Sequence, residues 1–233
     1  MTVTIEHDAR VAERYPAHRT LALRIAAAGG ALPLRPEAED ELRARFGAEG
    51  GDAAARRSAE HWRGVFDTMG AKPKYKSSVG GLLDLVERTG GELPIPIALV
   101  RAYCWFSLVH GVPMAGYRPE RIAGPLRLTI PGKGVPFTPL GQAKGSREAT
   151  KANEVAYVDD EKAICRYWNM RDCDETKLVE GIGDALFILD VTEDLDQDAT
   201  HLAAAFTSLF GEGADVRRAV LGADAPAVTL DGG

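Results

Sequence analysis

Apolar positions recur every three or four residues through the first half of the chain and alternate with polar ones in the second. From Arg35 to Phe46, Pro36 suits a first helical turn, acids follow it, and Leu42 and Phe46 lie four apart. A break rich in glycine and alanine over 47–54 precedes a second predicted helix, 55–69. There His61, Trp62, Val65, Phe66 and Met69 form a stripe, and Gly70 stops it. Ser77 or Ser78 caps a third helix ending at Gly90-Gly91, and Ile97 to His110 is apolar nearly all round, as a buried helix is. The period then changes. Leu126 to Ile130 alternates and, with Val155 to Val158 and Ala185 to Leu189, predicts strands. The prolines and glycines of 131–145 predict loops with short strands. Ala199 to Phe210 predicts a late amphipathic helix, Val216 to Leu221 a short one, and the last residues a loose tail. A helical half followed by a strand-rich half predicts one α+β unit, with the residues before about Ala55 as an appended layer.

Composition narrows the class. With 45% hydrophobic and 27% charged residues, a chain of 233 can bury a real core. No apolar run is long enough for a membrane span, and the first residues lack the basic and apolar regions of a signal peptide. Three cysteines cannot all pair, so free thiols and a cytoplasmic location are expected. There is no Cys-x-x-Cys spacing and the five histidines are scattered, so no metal or cofactor is implied. A net charge of −6 argues against nonspecific nucleic-acid binding, but the charge is unevenly spread. Arg118, Arg121, Arg127, Lys133, Lys144, Arg147 and Lys151 face only Glu120 and Glu148 between 116 and 153, whereas 184–200 carries acids and no Lys or Arg. The basic stretch is either a solvated surface or a face for a phosphate backbone.

Isolated candidates for chemistry are weak. Pro131-Gly-Lys-Gly-Val-Pro reads as a turn before a phosphate loop, His110 as a helix-end residue interacting with the negative end of the dipole, His61 as a packing residue, and Cys104 as an inert thiol in an apolar helix. The run Cys165-Arg-Tyr-Trp-Asn-Met-Arg-Asp-Cys173 is denser. Arg166 and Arg171 offer guanidinium forks for an anion, Trp168 a ring face, and Asn169 a donor and an acceptor together. Cys173, beside Arg171, is the better thiol nucleophile. If the run is an extended strand, Arg166, Trp168, Met170 and Asp172 share one face. The alternative is an internal polar network, with the arginines paired to Asp159, Asp160 or Asp172.

From Ser58 to Asp194 the chain resembles freestanding B3/B4-type proteins, relatives of the editing domain in the phenylalanyl-tRNA synthetase β-subunit. The motifs come in order: Trp62-Arg63, Ser77-Ser78, Leu93-Pro94, His110-Gly-Val-Pro113, Arg121-Ile-Ala-Gly124, Glu154-Val-Ala-Tyr157, then Arg166-x-Trp168-Asn169-x-Arg171 and Thr176. The resemblance implies mixed sheets flanked by helices, with an editing domain at 55–195, an N-terminal extension at 1–54 and C-terminal helices and tail at 196–233. It implies hydrolysis of the ester of a mischarged tRNA, with tRNA or aminoacyl-tRNA as partner. On that reading Asn169, Asp172 and Cys173 are the catalytic candidates. Arg166, Trp168, Arg171, Ser107 and Met114 hold the substrate, and Arg118, Arg121, Lys133, Lys144 and Arg147 approach the RNA. The chain departs from the synthetase pattern at Cys104, where the synthetases have asparagine, and at Ala115, where they often have histidine. Two further readings are an enzyme acting on a small aminoacyl ester or amide, and a noncatalytic module binding an amino acid or aminoacyl-tRNA.

Overall fold

The computed structural model describes residues 2–142 and 148–232. In chain order the strands of the first half are β1 (Thr2–His7), β2 (His18–Ala27), β3 (Met114–Tyr117) and β4 (Leu126–Thr129). After them come β5 (Pro136–Phe137), β6 (Glu148–Ala149), β7 (Ala156–Val158), β8 (Ala163–Arg166) and β9 (Arg171–Asp172). The last are β10 (Asp184–Thr192), β11 (Ala214–Leu221) and β12 (Ala227–Asp231). The α-helices are α1 (Ala9–Arg14), α2 (Ala38–Gly47), α3 (Ala53–Thr68), α4 (Ser78–Thr89), α5 (Ala98–His110) and α6 (Ala199–Thr207). No helix is long and apolar enough to cross a membrane, among the described residues.

A mixed sheet and an antiparallel sheet, packed with helices, carry the α+β architecture. A six-stranded sheet runs β12-β1-β4-β7-β8-β9, and a four-stranded sheet runs β11-β2-β10-β3. Only β1 and β4 pair in parallel, with Ile5 opposite Leu126; the other pairings of these sheets are antiparallel. Strand β10 is the organising element because both its faces are buried. Ala185, Phe187, Leu189 and Val191 pack into a core shared with α4, α5 and α6, whereas Leu186 and Ile188 pack into a second core shared with the six-stranded sheet. Period-two alternation therefore sends the next residue of the second set, Asp190, into the layer between the sheets. Helix α3 bridges both cores: Ala55 joins the first, Trp62 and Phe66 the second.

The helices over 38–47, 53–68, 78–89 and 98–110 match the apolar stripes, and their caps explain their ends. Ser77 Oγ accepts from the Gly80 N–H at 3.2 Å, and Gly90 closes α4 in the left-handed region. Gly111 does the same for α5, where a Cβ would meet the Ala54 carbonyl oxygen at 2.4 Å.

The ends of the chain differ from the pattern-based expectation. Residues 2–7 and 18–27 form β1 and β2 inside the two sheets, so the N-terminal segment is woven into the cores rather than laid over them. Residues 214–221 form a strand, not a short helix, because pairing with β2 along its whole length satisfies the backbone of Val216 to Leu221. The expected tail is β12, held on β1 with Leu230 opposite Val3. The four-stranded sheet thus draws on residues either side of both expected boundaries, 54 and 195.

Candidate functional site

The dense run 165–173 is a hairpin rather than one extended strand. Strands β8 and β9 pair with Cys165 opposite Asp172 and Arg166 opposite Arg171, leaving 167–170 as the turn. Tyr167 and Trp168 both take positive φ, 45° and 67°, a conformation costing bulky residues about 1–3 kcal/mol each. Surrounding contacts hold it. The Trp168 N–H donates to the Val155 carbonyl at 2.6 Å, and the Ser78 N–H to the Asn169 carbonyl at 2.9 Å. The Trp168 ring meets those of His18, Tyr15 and Trp62 edge-on at 4.5, 4.8 and 5.1 Å. The turn places two consecutive side chains, Trp168 and Asn169, towards Asp190, which an alternating strand cannot do.

Asp190 is 3% exposed and accepts three side-chain hydrogen bonds. The Tyr157 hydroxyl donates to Oδ1 at 2.7 Å and the Trp168 indole N–H to the same oxygen at 3.1 Å; Asn169 Nδ2 donates to Oδ2 at 3.1 Å. Burial pushes its carboxyl up to about 6 against these three bonds, and negative Asp172 adds to the rise. His18 Nε2 lies 3.8 Å from Oδ1, yet burial holds that imidazole well below its ordinary range, so it is neutral and leaves the carboxylate's charge uncancelled. Asp172 accepts from the Tyr117 hydroxyl at 2.8 Å. Burial raises its carboxyl too, opposed by that hydrogen bond.

Both carboxyls border a cavity of about 220 Å³ between the sheets, lined also by the polar residues Tyr117, Tyr157 and Asn169 and by the apolar residues Met114, Ala115, Ile188 and Met170. Asn169 Oδ1 and the Oγ of Ser78, a further lining residue, are buried without a hydrogen-bond partner. Among the described lining residues Arg171 is the one cation, and it is partly exposed, donating at 3.4 Å to the carbonyl of exposed Leu140.

Of the residues singled out in the sequence, Met114, Trp168, Asn169, Arg171 and Asp172 line this one cavity. Three other candidates stand elsewhere. Arg166 is not free for an anion: its guanidinium is clamped by buried Glu154 at 2.7 and 2.9 Å and by Glu148 at 2.8 Å. The network alternative was right in kind, although its carboxylates are these glutamates rather than Asp159, Asp160 or Asp172. Cys173 is fully buried outside the cavity lining, its Sγ 3.0 Å from Thr176 Oγ1, and burial pushes its thiol up to about 11. A thiol held neutral is a poor nucleophile. Ser107 Oγ donates to the Val112 carbonyl at 2.6 Å and tightens the end of α5.

None of the RNA-facing candidates among the described residues lines the cavity. Arg118 donates to the Glu175 carbonyl at 2.9 Å, Arg121 and Lys133 are exposed, and Lys144 and Arg147 lie outside the described residues. Arg127 is engaged by Glu6 and Asp160. The Pro131–Pro136 loop is a plain turn, tied to Thr150 through the Gly132 carbonyl and the Gly134 N–H. His110 stacks on Phe106 at 4.2 Å, and burial lowers it to about 4, so it packs as a neutral ring without supplying charge to the helix end. Cys104 lies in the helix-side core, its thiol pushed by burial to about 12, whereas Ala115 borders the cavity.

No protein-family model matches the chain, and no curated protein does. The site's chemistry rests on its own geometry. That geometry adds residues the linear reading missed: Tyr117, Tyr157, Ser78 and above all Asp190. The signal for Asp190 was present as one acid inside the apolar run Ala185 to Val191.

Proposed function

We propose that the chain is an aminoacyl ester hydrolase, a freestanding deacylase of mischarged tRNA related to B3/B4-type editing domains. The observation that carries this reading is the cavity itself, lined by two carboxyls, a carboxamide and two tyrosines together with apolar side chains. Its volume is below that of pockets for drug-sized ligands and suits one aminoacyl group. The ordered motifs from Trp62 to Thr176 support the same conclusion.

The chemistry follows from the groups present. Asp172, whose carboxyl burial raises above its ordinary range, takes a proton from a water as that water attacks the ester carbonyl. The new carbon–oxygen bond forms, the bond to the ribose oxygen breaks, and Asp172 returns the proton to the leaving hydroxyl. Asn169 and the Tyr117 hydroxyl hold the reacting atoms in place, and orientation supplies much of the acceleration. Cys173 has no part in it.

Incubation with a panel of correctly and wrongly charged tRNAs tests the proposal. Release of amino acid above the buffer rate from at least one wrongly charged tRNA is expected, and release from none overturns it. A second reading, hydrolysis of a small aminoacyl ester or amide, is favoured by the engagement of Arg127 and Arg118 with the protein's own groups. Equal turnover of a small aminoacyl ester and the tRNA ester would select it.

A further inference from the structure

The charge inside the cavity is out of balance, and that imbalance identifies what it binds. Asp190 and Asp172 border it, the neighbouring imidazole of His18 is neutral, and the Arg171 guanidinium is engaged at the Leu140 carbonyl. A carboxylate has about four acceptor positions. Asp190 Oδ1 uses two, on Tyr157 and Trp168, but Oδ2 uses one, on Asn169, and so retains an acceptor. Asn169, 7% exposed, adds an independent mark: its amide nitrogen is committed to Asp190 while its Oδ1 is buried with no partner. Ser78 Oγ is likewise unpartnered. A buried acceptor left unmade costs stability and calls for a donor.

The missing group is therefore a cationic donor with several N–H bonds. No cluster of three or more His, Cys, Asp or Glu suited to a metal ion occurs among the described residues. Met114, Ile188 and Met170, which line the same cavity, suit an organic cation with an apolar arm. We infer that the cavity recognises the protonated α-amino group of an apolar amino acid whose carboxyl is esterified or amidated, with Asp190 Oδ2 and Asn169 Oδ1 as its acceptors. Charge excludes the two nearest relatives of that ligand. A free amino acid is a zwitterion and brings its own carboxylate into a cavity already negative. An N-acylated derivative brings no cation and fewer donors. The inference rests on the proposed aminoacyl site and supplies its selection rule: free amino group required, free carboxylate rejected.

Calorimetric titration of the whole chain with amides of apolar L-amino acids, their N-acetyl forms and the corresponding free acids separates the two claims, because amide binding needs no ester hydrolysis. At least one amide is expected to bind at least about tenfold more tightly than both its N-acetyl form and its free acid. Asp190→Asn should remove that preference. Should this variant fail to fold, Asp172→Asn, in which the side-chain oxygen still accepts from Tyr117, should reduce it. Equal binding of the three ligand types, no binding of any, or an unchanged preference in a folded variant would overturn the inference. Selective amide binding without tRNA deacylation would leave it standing and remove the hydrolase reading; deacylation without a charge preference would do the reverse.

Discussion

Two buried polar clusters meet at the same hairpin and come to opposite ends. On the β8 side, Arg166 is matched by Glu154 and Glu148, and its guanidinium also lies 5.4 Å from the Tyr167 ring centre and 5.7 Å from that of Phe137. Every strong donor there has an acceptor. At the turn and β9, Asp190 and Asp172 share a cavity whose one cation among the described lining residues, Arg171, is partly exposed and engaged at the Leu140 carbonyl, and two unpartnered oxygens lie beside them. A buried ion pair that is complete within the protein is architecture. A buried set that is incomplete is a place for something else. Composition does not separate the two clusters; the balance of charge and hydrogen bonds does.

Breaking the complete cluster should have the largest effect. Glu154→Ala strands the Arg166 guanidinium in a buried site and is expected to cost about 3–5 kcal/mol in chemical denaturation. The incomplete cluster should show itself in pH dependence. Asp190 titrates at about 6 in the fold against an ordinary 3.8, so the folded state binds its proton more tightly. Its contribution to stability is fully present below pH 3.8 and is lost as pH rises through about 6, a swing of about 2–3 kcal/mol. The stability of the wild type relative to Asp190→Asn should therefore fall between pH 4 and pH 6. His18, lowered in the fold, acts in the opposite sense: its contribution is lost as pH falls below the ordinary 6.5, so the variant alone should gain stability with rising pH. A flat difference between the two proteins would show that Asp190 is not held as described. Tyr117→Phe removes one donor from Asp172 and is expected to cost about 1 kcal/mol. It should also move the acidic limb of the pH–rate profile upward, since that hydrogen bond holds the carboxyl down. Cys173→Ser replaces a neutral buried thiol outside the cavity and should leave kcat/KM within about twofold, read by steady-state ester turnover.

How much of this was legible depended on the range of the information. Helices α2 to α5 follow from local periodicity, as do β4, β7 and β10. Strands β1 and β2 lie in a half whose later periodicity is helical, and β11 and β12 are short runs whose pairing partners are some two hundred residues away. Partners at that separation leave little local trace. Of the site, the composition of 165–173 marked the right segment, but the assumption of an extended strand misplaced its faces. The tight turn at Tyr167-Trp168 has no glycine or asparagine at its left-handed positions, so nothing local announced it. Arg166 looked like an anion binder because Glu154 and Glu148 precede it by 12 and 18 residues and meet it only through the fold. Asp190 was visible as an acid in an apolar strand, and its meaning required knowing that Trp168 and Asn169 reach it.

The most direct test of the contrast between the incomplete cavity and its buried surroundings is single-turnover deacylation of a wrongly charged tRNA by three proteins side by side. This contrast predicts release by the wild type, near wild-type release by Cys173→Ser, and a loss of about a hundredfold or more in Asp172→Asn. Release that survives in Asp172→Asn and disappears in Cys173→Ser would contradict it.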